Sequence, residues 1–196
     1  MKNLIIAILA FLLFFAGAAP TNKIVEYKNE VYAVKYSEEL EQPLEVTYTI
    51  ACTETKFSRA GLDFVVPTGI HTSDNADYAG NEYDKGHMAP AADFACDQKM
   101  LALTFSYLNC ALQQENLNRG VWRFLEVHER DLATHVTTTV TIKCHFSAAS
   151  TKLPTGATIP DGFTKIIKSG KITETYYFPN VRPTKKSYIE YLVVNK

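Results

Sequence analysis

The chain carries little net charge, a formal −1 over 196 residues. Its overall field would therefore not draw a polyanion to the surface, and affinity for one has to be built locally. It has no internal repeat, low-complexity tract or interdomain linker, which excludes solenoids and disordered arrays. No Cys stands near its start, so a lipid-anchored leader is excluded. Leu153-Pro154-Thr155-Gly156 lacks the extra residue that a cell-wall sorting signal carries between Pro and Thr. Beyond Phe15 no apolar run approaches the length of about 20 residues needed to cross a bilayer.

What is present begins with a leader. Lys2 precedes an unbroken apolar run from Leu4 to Phe15, followed by Ala16-Gly17-Ala18, Ala19 and Pro20. This is the form of a secretory signal peptide, and its run of about 12 apolar residues is too short for an anchor. Cleavage after Ala18 is expected, leaving residues 19–196 as a single domain without stable membrane association, in the cell exterior or another extracytoplasmic compartment. The four cysteines, Cys52, Cys96, Cys110 and Cys144, are an even number in an exported chain, so two disulfides are expected. Spacing leaves all three pairings open.

Ile24 to Tyr36, broken at Lys28-Asn29-Glu30, reads as a hairpin, and Glu45 to Ile50 alternates as a half-buried strand does. Leu103 to Leu108, Val136 to Cys144, Phe163 to Lys168 and Lys171 to Phe178 read as further strands, the last two joined by Ser169-Gly170. Short links make the sheet mostly antiparallel. Apolar positions at helical spacing predict a long helix from Leu117 to Thr134, and a shorter one covers Asp97 to Ala102. The fold class is α+β, a mostly antiparallel sheet with flanking helices.

On the long helix Asn118, Trp122, Glu126 and Arg130 recur at steps of four, which places an amide, a carboxylate and a guanidinium on one stripe. Taken alone, a solvated face with a Glu126–Arg130 pair accounts for them. Upstream, Gly86 directly precedes His87, and glycine there permits a tight turn. A histidine near its ordinary pKa is largely neutral at pH 7 and can take a proton from water. Lys56, Arg59, Lys85, Arg119, Arg123 and Arg130 gather in the same central part of the chain.

Two blocks in order carry a resemblance. Asp84-Lys85-Gly86-His87-Met88-Ala89-Pro90-Ala91-Ala92-Asp93 is the first. Thr104 to Asn109, Gln113, Leu117-Asn118-Arg119-Gly120-Val121-Trp122, Leu125-Glu126 and Arg130 form the second. Together they resemble the DNA/RNA non-specific endonucleases, ββα-metal (His-Me finger) nucleases related to mitochondrial endonuclease G. The departures are Lys85 where that family has arginine, Leu108 and Leu112 where it has Ser or Thr and Pro, and Cys144-His145 in place of a Gly-Pro turn. Lysine keeps the charge but loses arginine's planar two-point grip on phosphate.

The resemblance implies a secreted endonuclease hydrolysing DNA and RNA alike to 5'-phosphate products. His87 corresponds to the general base and Asn118 to the sole protein ligand of a divalent ion. Arg59 would stabilise the transition state, Glu126 would orient water at the metal, and Arg130 would hold Glu126 or contact phosphate. Asp84 and Lys85 would support substrate binding, while Asn109 and Gln113 would brace the helix. Magnesium suits one neutral amide because it keeps several waters, and Mn2+ or another divalent cation could substitute; structural zinc would want about four Cys or His ligands. The resemblance also implies a Cys110–Cys144 disulfide, which leaves Cys52 with Cys96. The competing reading is a secreted nucleic-acid-binding module of the same fold with weak or no catalysis. The oligomeric state is open.

Overall fold

Alternating burial builds the main sheet. In the computed structural model the described residues are 23–193; the expected leader, residues 1–18, lies outside them. Strands β1 (Ile24–Lys28), β2 (Tyr32–Ser37) and β3 (Gln42–Thr49) open the chain. The Asn29 carboxamide oxygen closes the first turn by accepting from the backbone of Val31 and Tyr32 at 2.8 and 2.9 Å. Val34 and Tyr36 on β2 and Val46 and Tyr48 on β3 point into the core. Strands β6 (Thr138–His145), β7 (Gly162–Ser169) and β8 (Ile172–Pro179) complete a six-stranded antiparallel sheet in the order β1-β2-β3-β6-β7-β8. Gly170, at φ +57°, turns β7 into β8, a backbone conformation that favours glycine.

A second, two-stranded sheet pairs β4 (Tyr83–His87) with β5 (Cys110–Gln114), antiparallel, with Asp84 opposite Gln113 and His87 opposite Cys110. It runs into α2 (Glu115–Leu117), a wide π turn at Asn118–Trp122 and α3 (Arg123–Ala133). Two strands and a helix thus form the ββα unit. The helix is attached to the main sheet by Trp122, fully buried edge-on against Phe163 of β7 and Phe178 of β8 at 5.6 and 5.5 Å between centroids. By the scale of large-to-small core changes that anchor is worth about 3–5 kcal/mol. Helix α1 (Gln98–Leu103) starts where the Asp97 side chain accepts from the Met100 backbone at 2.9 Å.

The α+β class, the antiparallel sheet and the ββα unit stand, with local corrections. The strand expected at Leu103–Leu108 is not one: α1 ends at Leu103, and a 3-10 turn follows at Tyr107–Asn109. The Thr104 hydroxyl donates to the Leu101 carbonyl at 2.7 Å and the Ser106 hydroxyl accepts from Leu108 at 3.3 Å, so two small hydroxyls hold the backbone in turns against its strand-like composition. The long helix begins earlier than expected and is divided at Gly120, whose φ of −105° and ψ of −115° are not helical.

The Cys52–Cys96 disulfide is present, Cα to Cα 5.5 Å. The expected Cys110–Cys144 bond is absent, because the two thiols belong to different sheets. Cys110 on β5 donates to the Tyr78 hydroxyl at 3.2 Å, and Cys144 on β6 faces Met88 at 3.8 Å. Burial pushes the Cys110 thiol up to about 12 and raises Cys144 as well, so both stay protonated.

Candidate active site

His87 ends β4 with its ring half-buried between Phe64 and Phe105, centroids 4.7 and 4.8 Å away. Its Nε2 is buried and has no hydrogen-bond partner. Burial, and then the nearby Arg59 charge, push its pKa from 6.5 down to about 3. A neutral imidazole with an unused ring nitrogen can accept a proton. Gly86 is needed here for close approach and not for a turn: its backbone is a strand, and a Cβ would fall 2.5 Å from the Gln113 Oε1.

Asp84, three residues earlier on the same strand, ties β4 to the start of the helix. It accepts from the Asn118 Nδ2 at 2.9 Å and from Arg119 through Nε at 2.9 Å and NH2 at 2.6 Å. With its amide nitrogen engaged, Asn118 has its carbonyl oxygen left for a ligand. That donor set fits a hard, strongly hydrated cation held through one neutral oxygen. It does not fit a zinc cluster, and among the described residues no three His, Cys, Asp or Glu side chains gather in a metal-binding group.

Asp84, Lys85, His87, Asn118, Glu126, Arg130 and Arg59 all line one open cleft of about 1330 Å³. Six Lys or Arg side chains line it, Lys56, Arg59, Lys85, Arg119, Arg123 and Arg130, against three acids, Asp63, Asp84 and Glu126. A chain of net charge −1 thus keeps a locally cationic groove, as a polyanion site requires. Lys85 is partly committed, donating to Asp63 at 3.4 Å and to Asn75, with its ammonium 5.5 Å from the Phe64 and Tyr107 rings.

Beneath the cleft lies a buried charge network that the sequence reading missed. Arg130 donates to Asp93 at 2.7 Å, so its grip is on Asp93, where Glu126 or phosphate had been expected. Glu129, fully buried one residue before it, accepts from the Tyr48 hydroxyl at 2.7 Å and from the fully buried Lys165 at 3.0 Å. Burial raises the Glu126 carboxyl from 4.5 to about 7, although the positive charge of Lys165 favours its ionised form. One signal was available: Lys165 shares the inward face of β7 with Phe163 and Ile167, a lysine where period-two alternation demands an apolar residue. Asp93 and Phe105 lie inside the two motif blocks, whereas Tyr48, Phe64 and Glu129 gave no signal.

Asn109 and Gln113 lie outside the cleft lining. Asn109 is fully buried, accepts from the Ala89 backbone at 2.8 Å and donates to the carbonyls of Ala89 and Thr104 at 2.9 and 3.0 Å. It therefore braces the segment following His87, not the helix. Gln113 is buried against Gly86 with neither side-chain polar atom partnered.

The model of the DNA/RNA non-specific endonuclease family matches residues 14–194. The chain belongs to that family. Among its relatives, mitochondrial endonuclease G of Bos taurus is 37% identical over 78 residues, 38% of this chain and 26% of that protein. The Homo sapiens endonuclease G is 42% identical over 62 residues, 32% of this chain and 21% of that one. The aligned stretches thus span about a quarter of those relatives' lengths. A solved structure of the EndoG/EndoGI complex superposes with a TM-score of 0.72 at 25% identity, covering 86% of this chain and 80% of that one.

Proposed function

We propose that this protein is an exported endonuclease hydrolysing phosphodiester bonds of DNA and RNA, leaving 5'-phosphate and 3'-hydroxyl ends. The observation that carries the reading is the pairing, in one cationic cleft, of a neutral His87 with an unused Nε2 and an Asn118 whose amide nitrogen is held by Asp84. His87 takes the proton of the attacking water on its neutral imidazole. Arg59 neutralises the charge that builds on the phosphorane-like oxygens. Asn118 would hold a hydrated divalent ion, magnesium by preference, and Glu126 would orient its water; when bound the ion supplies positive charge against the phosphate. Asp84 and Arg119 set the spacing between the base and Asn118. Nothing in this set requires a 2'-hydroxyl or a base edge, which supports action on both nucleic acids. The leader pattern and the Cys52–Cys96 disulfide support export.

The mature chain, residues 19–196, is incubated with plasmid DNA and with structured RNA, in magnesium or excess EDTA, beside His87→Ala. Degradation of both substrates by the parent in magnesium alone is expected, with His87→Ala slower by about 10²–10⁴-fold. Intact substrates at every metal tried would leave the binding-module reading in its place.

A further inference from the structure

Resting on the nucleic-acid reading above, we propose that Phe57 is a stacking platform for an unpaired base, making the cleft favour single-stranded segments of DNA or RNA. Phe57 lines the cleft and remains 39% exposed. Lys56, one residue before it, and Arg59, two residues after it, line the same cleft, which brings two cations that can meet phosphates close to it along the chain. The ring is presented on a fixed backbone: the Lys56 and Phe57 amides both donate to the Ala95 carbonyl, at 2.9 and 2.8 Å, and the Cys52–Cys96 disulfide fastens the same two segments together. The ordering cost of a stacking surface is therefore met before substrate arrives.

The other aromatic side chains nearby are already engaged. Phe64 and Phe105 pack on His87, and Phe64 also meets Tyr107 at 5.6 Å. Phe124 is exposed but lies under the Arg123 guanidinium at 4.9 Å and opens onto a separate depression with His128 and Tyr188. Among the described residues no aromatic ring covers Phe57. In a duplex each base face is occupied by its neighbours, so only an unpaired nucleotide can offer a face to this ring; stacking of that kind tolerates every base.

The test reads binding, separately from cleavage. In a His87→Ala background with EDTA, fluorescence anisotropy gives Kd for a labelled single strand and for a duplex of the same length, with Phe57, Phe57→Ala and Phe57→Trp. Thermal melting checks that the fold is unchanged. The expected result is a single-strand Kd raised about fivefold or more by Phe57→Ala, a duplex Kd nearly unmoved, and recovery with Phe57→Trp. Equal changes for both substrates, or none, would overturn the proposal. If the parent binds neither substrate at any salt concentration, the nucleic-acid reading itself fails, and the stacking role with it.

Discussion

Asp84 illustrates how one side chain can place two others. Its oxygens accept from the Asn118 amide nitrogen and from two nitrogens along one edge of the Arg119 guanidinium, and the backbone that carries it also carries His87. The Arg119 bond is largely solvent-exposed and adds little stability, so the value of the contact lies in holding the Asn118 carbonyl oxygen in place. Asp84→Asn is expected to raise the magnesium concentration for half-maximal cleavage about 10- to 100-fold while leaving saturated kcat much closer to the parent value. A magnesium titration of initial rates separates the two; an unchanged midpoint with reduced kcat would show that Asp84 acts on chemistry directly. Lys85 is positioned by Asp63, Asn75 and two rings, which identifies it as a side chain already fixed before a phosphate arrives.

At the scale of elements, the β4–β5 pair is the joint on which the site turns. Gly86 lets β4 sit tightly against β5, because any Cβ would meet the Gln113 side chain at 2.5 Å and the Ala111 carbonyl at 3.2 Å. Gly86→Ala is expected to cost about 1–3 kcal/mol by overpacking, measured by denaturant unfolding. Adding Gln113→Ala should recover only part of that loss, since it removes the Oε1 contact and deletes two buried, unpartnered polar atoms but leaves the residue-113 Cβ at 2.6 Å. A double variant no better than the single one would place the strain in the contacts that remain, the residue-113 Cβ at 2.6 Å and the Ala111 carbonyl at 3.2 Å. The segment bearing Lys56, Phe57 and Arg59 has few internal contacts of its own and depends on the disulfide and the Ala95 carbonyl. Replacing Cys52 and Cys96 together by Ser opens a link spanning 44 residues and is expected to cost about 2–4 kcal/mol. Calorimetry measures that loss, and hydrogen exchange should rise first over residues 52–64.

Across the whole molecule, two site residues pull stability in opposite directions with pH. His87 titrates near 6.5 unfolded and near 3 folded, so the unfolded chain binds a proton that the native one refuses, and stability falls as pH drops through that window. Glu126 moves from 4.5 unfolded to about 7 folded, so the native chain holds the proton, and stability falls as pH rises between those values. The slopes oppose each other where the windows overlap. In metal-free protein, His87→Gln should therefore flatten the acid side of the stability profile, and Glu126→Gln should raise Tm at pH 8 more than at pH 5. Melting curves across that range check both; parallel profiles for parent and variants would refute the burial of these charges. A groove whose residues destabilise the unliganded protein is consistent with a site shaped for a cation and a polyanion.

Patterns with a local physical cause were legible in the chain. Alternation located β3, runs of apolar, aromatic and β-branched residues located β2, β6, β7 and β8, helical spacing located α3, and the short helix was expected from Asp97, beside the start of α1. His87 and Asn118 stood out because two motifs occurred in order, and the structure places both in one cleft. What the chain could not disclose depends on partners distant in sequence. Glu129 meets Tyr48 across 81 residues and Lys165 across 36, Arg130 meets Asp93 across 37, and Asn118 meets Asp84 across 34. The free state of Cys110 and Cys144 likewise follows from the sheet each strand joins. Side-chain periodicity is set within a few residues and can be read directly. Burial, pairing and the acidity of a buried group are set by whatever the folded chain brings against it, and only the tertiary structure decides that.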